Sequence, residues 1–177
     1  EEAGSALGYP CILKQPDSAF SLGVVKVNHE AEFYDEAERL LEHSALILAQ
    51  EFLPTAFDWR IGVLDRKPLF ACRYFMADDH WQIINQKETG DKRFGRFETV
   101  AIEAAPRHVV RAAVRAAGLI GDGLYGVDVK QAGSKAFVIE VNDNPNIDAG
   151  VEDELLGEAL YARIMQSFRE RVDRKRP

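Results

Sequence analysis

An α+β fold assembled from antiparallel strand pairs is what this sequence predicts, on three observations. Residues 58–64 and 69–76 are strand-forming runs separated by Asp65-Arg66-Lys67-Pro68, a turn-forming tetrapeptide. Helical periodicity is confined to separate stretches between and after the strands. Residues 126–130 and 138–142 alternate apolar and polar side chains on either side of Gly133-Ser134-Lys135, the pattern of a second hairpin.

Taken in order, residues 10–14 read as a short strand, 15–23 as a turn, and 24–27 as a returning strand. Asn28 caps a helix running through Ser44, with Ala31, Tyr34, Ala37 and Leu41 at helical spacing. Residues 45–52 alternate too little for a half-exposed strand and predict one buried on both sides, broken at Leu53-Pro54-Thr55. The first long hairpin follows. From Asp79 to Ala104 the chain reads as a loop, with a short strand possible at 81–85. Pro106 suits the first turn of a helix reaching Ala117, and Gly118, Gly121 and Gly123 lead into the second hairpin. A last helix spans residues 152–174 with Leu155, Leu156, Ala159, Leu160, Ile164 and Phe168 on its apolar stripe.

The second hairpin carries the chemistry. Alternation places Glu140 and Asn142 on one face and Ile139 and Val141 on the other. A three-residue loop Gly133-Ser134-Lys135 pairs Ala132 with Ala136 and counts back to Asp128 opposite Glu140; a two-residue turn would shift that register and separate the carboxylates. Two carboxylates about 5 Å apart repel by roughly 3 kcal/mol at an effective dielectric of about 20, so a cation is required between or beside them. Either a divalent metal held by Asp128, Glu140 and Asn142, or an ion-pair cluster in which Lys130 neutralises Asp128, satisfies that demand. The following Asn142-Asp143-Asn144-Pro145-Asn146-Ile147-Asp148 is dense in oxygen donors. It is a poor calcium loop, because Ile147 stands where such a loop needs Gly and a strand precedes it instead of a helix.

With 177 residues, 46% of them hydrophobic, the chain can bury a core in one or two small lobes without disulfides. Cys11 and Cys72 have no metal spacing and favour a reducing compartment, so cytoplasm is the expected location. No apolar run approaches the roughly 18 residues of a membrane span. A formal net charge of −7 argues against general binding to nucleic acid, and the basic tail from Arg169 to Arg176 suits the solvated end of a helix. His29, His43, His80 and His108 show no ligand spacing. The first residue is not Met, which suggests an excised or processed chain.

Read together, Cys11-Ile12-Leu13-Lys14, the Ser/Gly loop through Gly23, Ala49-Gln50-Glu51-Phe52-Leu53, Asp58-Trp59-Arg60, Asp128 and Glu140-Val141-Asn142 resemble the ATP-grasp superfamily, most closely its RimK-like carboxylate–amine ligases. The resemblance runs from about Tyr9 to Asp148 and lies in the order and spacing of several motifs. It implies two α+β lobes with antiparallel sheets enclosing a nucleotide cleft, residues 1–52 and 53–177. It also implies ATP and Mg²⁺ (or Mn²⁺) as cofactors, and amide or peptide bond formation through an acyl phosphate. Lys14, Ser18, Ser21 and Gly23 would contact phosphates, with Lys26 assisting; Glu51, Phe52 and Leu53 would form the hinge that pairs with adenine, and Asp58 would approach the ribose. Arg60 and Arg73 would face the transferring phosphoryl and the carboxylate substrate, and Asp128, Glu140 and Asn142 would bind the metal.

The substrates so implied are a small-molecule or peptide carboxylate and an amine such as an amino acid, with a homo-oligomer possible. Family members carry an additional N-terminal domain and an earlier nucleotide-contacting lysine, neither of which fits before Tyr9, so the chain is expected to be a fragment. Residues 87–99 match no substrate motif, although Arg93 and Arg96 are candidate anion contacts. The alternative reading is a non-catalytic nucleotide-binding or partner-binding module that keeps the fold.

Overall fold

In the computed structural model, which describes residues 6–16 and 22–175, the chain divides into two units, Glu1–Pro54 and Thr55–Pro177. The first holds a three-stranded sheet of order β2-β1-β3, with β1 at Cys11–Lys14, β2 at Val24–Val27 and β3 at Leu48–Glu51. Both neighbours run antiparallel to β1. Helix α1, Glu30–Leu41, lays Phe33 and Leu40 on Cys11, Leu13 and Val27, since alternate strand residues share a face.

Two expectations for this unit need correcting. The α1 cap is His29, one residue past Asn28: its Nδ1 accepts the Glu32 backbone N–H at 3.3 Å. The Asn28 backbone N–H donates to the Glu32 carboxylate at 2.7 Å, closing a reciprocal capping arrangement. Strand β3 is not buried on both sides. It is an edge strand with Leu48 45% exposed, because β1 occupies the centre of so small a sheet.

The second unit holds a five-stranded antiparallel sheet of order β6-β5-β4-β7-β8. Its strands are β4 Phe57–Leu64, β5 Lys67–Phe75, β6 Phe97–Val100, β7 Leu124–Ala132 and β8 Lys135–Asn142. Helix α2, Arg107–Ile120, covers one face through Val109, Ala113 and Ala117, which pack on Trp59, Ile61, Val63, Val127 and Val129. Helix α3, Glu158–Lys175, covers part of the other through Leu160 and Ile164, packed with Leu64, Leu69, Phe70 and Cys72.

The β4–β5 turn is tighter than expected: Asp65 and Arg66 both adopt positive φ, and Pro68 is inside β5 where the register shifts opposite Gly62 and Val63. Arg171 of α3 holds that turn by bonding the Asp65 and Asp122 side chains. Strand β6 falls where a loop was expected, and residues 81–85 contribute an isolated bridge, Ile84 to Phe94, instead of a strand. The final helix begins at Glu158 rather than 152; residues 151–157 are turns, with Gly157 at φ 52°.

The β7–β8 hairpin corrects the expected register and preserves its consequence. Gly133-Ser134 form a two-residue turn, so Ala132 pairs with Lys135 and Val129 with Val138. A bulge then absorbs Ile139, and Asp128 again lies opposite Glu140.

Candidate functional site

The strand register of the second unit lines up polar residues on the face opposite α2. Cys72, Arg60, Asp128 and Glu140 form one row across β5, β4, β7 and β8. Gly62, Gly126 and Asn142 form the next. Asp58 and Lys130, two residues along from Arg60 and Asp128, occupy the same face on the other side of the row.

Arg60 forks onto Asp128: its Nε donates to Oδ1, and its Nη2 donates to Oδ2 at 2.9 Å. Both side chains are about 15% exposed. Burial alone would pull the guanidinium pKa down, but Asp128, with Glu140 contributing, drives it above its ordinary value. The guanidinium lies 5.5 Å over the Tyr74 ring. Arg60 is therefore the cation that the paired carboxylates demanded.

Lys130 is committed elsewhere. Its ammonium donates to Asp58 Oδ1 and Thr55 Oγ1, each at 2.7 Å, and the Thr55 hydroxyl donates to Asp58 at 2.9 Å. Burial nevertheless holds the Asp58 carboxyl above its usual range, against the pull of Lys130. Lys130, the ion-pair alternative to a metal beside Asp128, instead serves Asp58, because Asp128 accepts the bidentate fork of Arg60 from the adjacent strand.

Glu140 is exposed and Asn142 half-buried. The Asn142 amide donates to the Gly126 carbonyl at 3.3 Å, which commits its nitrogen and leaves Oδ1 as its acceptor. Two carboxylates and an amide oxygen are hard donors of the kind Mg²⁺ takes, so this set fits such an ion. Among the described residues no group of three or more His, Cys, Asp or Glu is arranged to hold a metal, and here the amide is what completes the three. Cys72 is no nucleophile at neutral pH, since burial pushes its thiol up to about 11.

Arg73 does not join Arg60. Its register partner is Trp59, which places it on the α2 face; the guanidinium packs 5.2 Å from the Trp59 ring and 5.4 Å from Phe57, with Glu98 at 3.6 Å. Strand alternation alone separates the two arginines, because 60 and 72, not 60 and 73, stand opposite each other. The acidic partners of the two arginines are accordingly different, Asp128 for Arg60 and Glu98 for Arg73. Arg93 donates to Gln86 at 3.0 Å, and Arg96 lies 3.5 Å over the Phe75 ring beside an open groove of about 740 Å³ that Phe94 and Phe97 also line.

In the first unit, Lys14 and Lys26 share the sheet face away from α1, and the Lys26 ammonium lies 4.6 Å over the Phe52 ring. Glu51 pairs with Cys11 and so belongs to the α1 side, while Leu53 follows the strand. Gly23 has φ 67° and accepts the Gln15 N–H at 3.0 Å; an added Cβ would collide with the Gln15 side chain, so turn geometry by itself demands glycine there. Ser18 and Ser21 lie outside the described residues.

Sequence reasoning missed the anchor of the segment after β8. Glu152, read as a helix residue, is 1% exposed and accepts bonds from the Tyr74 hydroxyl and, at 2.8 Å, from the Asp148 N–H. Burial first, and then this carboxylate, push the Tyr74 hydroxyl far above its ordinary range. Flanking Gly150 and Gly157, both at positive φ, are the signal that could have argued against helix here. Asp153 accepts the Gly150 N–H at 2.6 Å and the Tyr161 hydroxyl at 2.9 Å, which ties the turn segment to α3.

Residues 1–149 match the family model described as D-ala D-ala ligase C-terminus. No curated protein matches the chain. Among solved structures, the D-alanine–D-alanine ligase of Bacillus anthracis superposes with a TM-score of 0.76 at 18% identity, covering 98% of this chain and 59% of that one. The ATP-grasp ligase PsnB, solved with a minimal precursor, Mg and ADP, gives 0.60 at 25% identity, covering 94% and 49%. The chain thus spans about half to three-fifths of the length of these relatives. Two antiparallel sheets with this order of elements, and a family match over most of the sequence, make one conclusion: the chain has the ATP-grasp fold and belongs to the D-ala D-ala ligase C-terminal family.

Proposed function

We propose that this chain is the nucleotide- and metal-binding core of an ATP-dependent carboxylate–amine ligase of RimK-like type. The observation that carries the reading is the row of Arg60, Asp128 and Glu140 with Asn142 beside it, in a member of a ligase family. Asp128, Glu140 and Asn142 would hold Mg²⁺, which when bound offsets the charge of phosphate oxygens that would otherwise repel an incoming carboxylate.

The remaining groups act by binding and orientation. Lys14 presents a point charge to a phosphate, assisted by Lys26, with the Ser18, Ser21 and Gly23 loop supplying backbone N–H donors. Among the described residues β3 is an edge strand of its sheet, and Glu51, Phe52 and Leu53 at its end would meet an adenine edge. Asp58 Oδ1 is taken by Lys130, which leaves Oδ2 for a ribose hydroxyl. Arg60, its planar fork already aligned on a carboxylate, is the group suited to the developing charge of the transferred phosphoryl.

In the reaction itself a substrate carboxylate oxygen attacks the γ-phosphorus of ATP and ADP departs. The nitrogen of an amine then attacks the acyl carbon of the acyl phosphate, the C–O bond to phosphate breaks, and the amine loses a proton. The acid is a small molecule or peptide and the amine an amino acid or its like. We place the protein in the cytoplasm, in keeping with its two free, buried cysteines; no helix among the described residues is long and apolar enough to cross a membrane.

Titration calorimetry of the protein with the ATP analogue AMPPNP, with and without Mg²⁺, tests the reading. Mg²⁺-dependent binding that disappears in the Asp128→Ala, Glu140→Ala double variant is expected, and unchanged binding removes the metal assignment. Nucleotide binding with no ADP formation on any carboxylate and amine pair would instead make the protein a non-catalytic module.

A further inference from the structure

Glu152 is buried at 1% exposure on a stretch of turns, and nothing in the proposed chemistry uses it. A carboxylate taken out of water costs several kcal/mol unless bonded, so its partners identify what it holds. They lead along two routes to one atom group. One oxygen accepts the Tyr74 hydroxyl, and the Tyr74 ring lies 5.5 Å beneath the Arg60 guanidinium. The other accepts the Asp148 backbone N–H at 2.8 Å. The Asp148 carboxylate accepts the Asn146 amide at 2.7 Å, and Asn146 Oδ1 receives Arg60 Nη1 at 3.5 Å.

The same segment is pinned a second time. The Val151 carbonyl accepts the Thr99 hydroxyl at 2.6 Å, and Pro145 closes over Gly126, where an added Cβ would come within 2.8 Å of the proline ring and 3.2 Å of Arg60 Cδ. The segment leaving β8 therefore packs against the arginine that grips Asp128.

From this geometry we propose that Glu152 is a positioning residue: through Tyr74 on one side and Asp148 and Asn146 on the other, it fixes Arg60 on Asp128 and so sets the geometry of the metal-binding face. The inference rests on the functional reading above for its consequence, but its physical content is a constraint on Arg60 that exists without nucleotide. Glu152→Leu keeps most of the volume and accepts from neither donor, whereas Gln could still bond both through its oxygen and its NH2; Tyr74→Phe keeps the ring under Arg60 and removes one bond.

Both variants are expected to weaken Mg²⁺-dependent AMPPNP binding by about tenfold, the usual cost of disturbing groups that orient metal ligands, while binding without Mg²⁺ stays unchanged. Exchange of the Arg60 Nε–H with water, followed by NMR without nucleotide, is expected to accelerate in both. A lower melting temperature with unaltered Arg60 exchange and unaltered Mg²⁺ dependence would show Glu152 to be structural only and overturn the inference. Accelerated exchange in a protein whose wild type shows no Mg²⁺-dependent AMPPNP binding would uphold the constraint and overturn the functional reading instead.

Discussion

The two faces of the five-stranded sheet are made by the same strands and obey opposite rules. On the α2 face, Ile61, Val63, Val127 and Val129 are fully buried in one apolar cluster with Val109, Ala113 and Ala117, so the energy lies in area removed from water. One residue away on each strand, Arg60, Asp58, Asp128 and Lys130 are desolvated yet charged, arranged as two ion pairs beside an exposed Glu140. Such pairs rarely exceed apolar packing in stability, because the cost of leaving water consumes the Coulombic gain. The polar face thus gains less stability from burial than the apolar one, which is why it is the candidate site.

That contrast can be broken most forcefully on the apolar side. Ile61→Ala should destabilise by about 2–5 kcal/mol in urea melts, with AMPPNP affinity per folded molecule unchanged. On the polar side Asp128→Ala should cost roughly 2–4 kcal/mol by leaving Arg60 charged and unpaired. The joint Arg60→Met, Asp128→Leu variant should recover most of that loss while abolishing Mg²⁺-dependent AMPPNP binding. Failure of the joint variant to recover stability would mean that the pair is a structural asset after all.

A pH series sharpens the comparison for Asp58. Its carboxyl is raised above the 3.8 of an ordinary Asp by burial, so its stabilising contribution is fully present below 3.8 and is lost as pH rises through the higher folded-state value. Urea melts of wild type and Asp58→Asn should therefore show the wild type losing ground to the variant as pH climbs through that window. Glu140→Gln gives the smallest stability change, within about 0.5 kcal/mol for an exposed side chain, yet should lose Mg²⁺-dependent binding measured by calorimetry.

Legibility followed the range of the interaction. Helix α2 was readable since Val109, Ala113 and Ala117 recur at the spacing of one helical face. Strand β6 was overlooked because Phe97 to Val100 is four residues long and earns its ladder only from β5. Of the candidate site, the proposed metal donors Asp128, Glu140 and Asn142 are visible as an alternating pattern, while Arg73 falls on the other face by one residue of register and Glu152 is hidden because a buried carboxylate has no local signature. The partner of Asp128 was equally hidden: Lys130 is its neighbour along the strand, but Arg60 lies 68 residues away.

Composition and period, by themselves, determined that Glu140 and Asn142 share a face, that apolar residues alternate with them, and that the chain folds as antiparallel α+β lobes. Which residue each of them confronts was decided only in three dimensions. The Gly133-Ser134 turn would have set Asp128 and Glu140 out of step, and the bulge at Ile139 restored them. A strand's period is a property of each residue's own backbone, whereas register is a sum over turn, bulge and every pairing between, and that sum is settled by what the assembled sheet can bury.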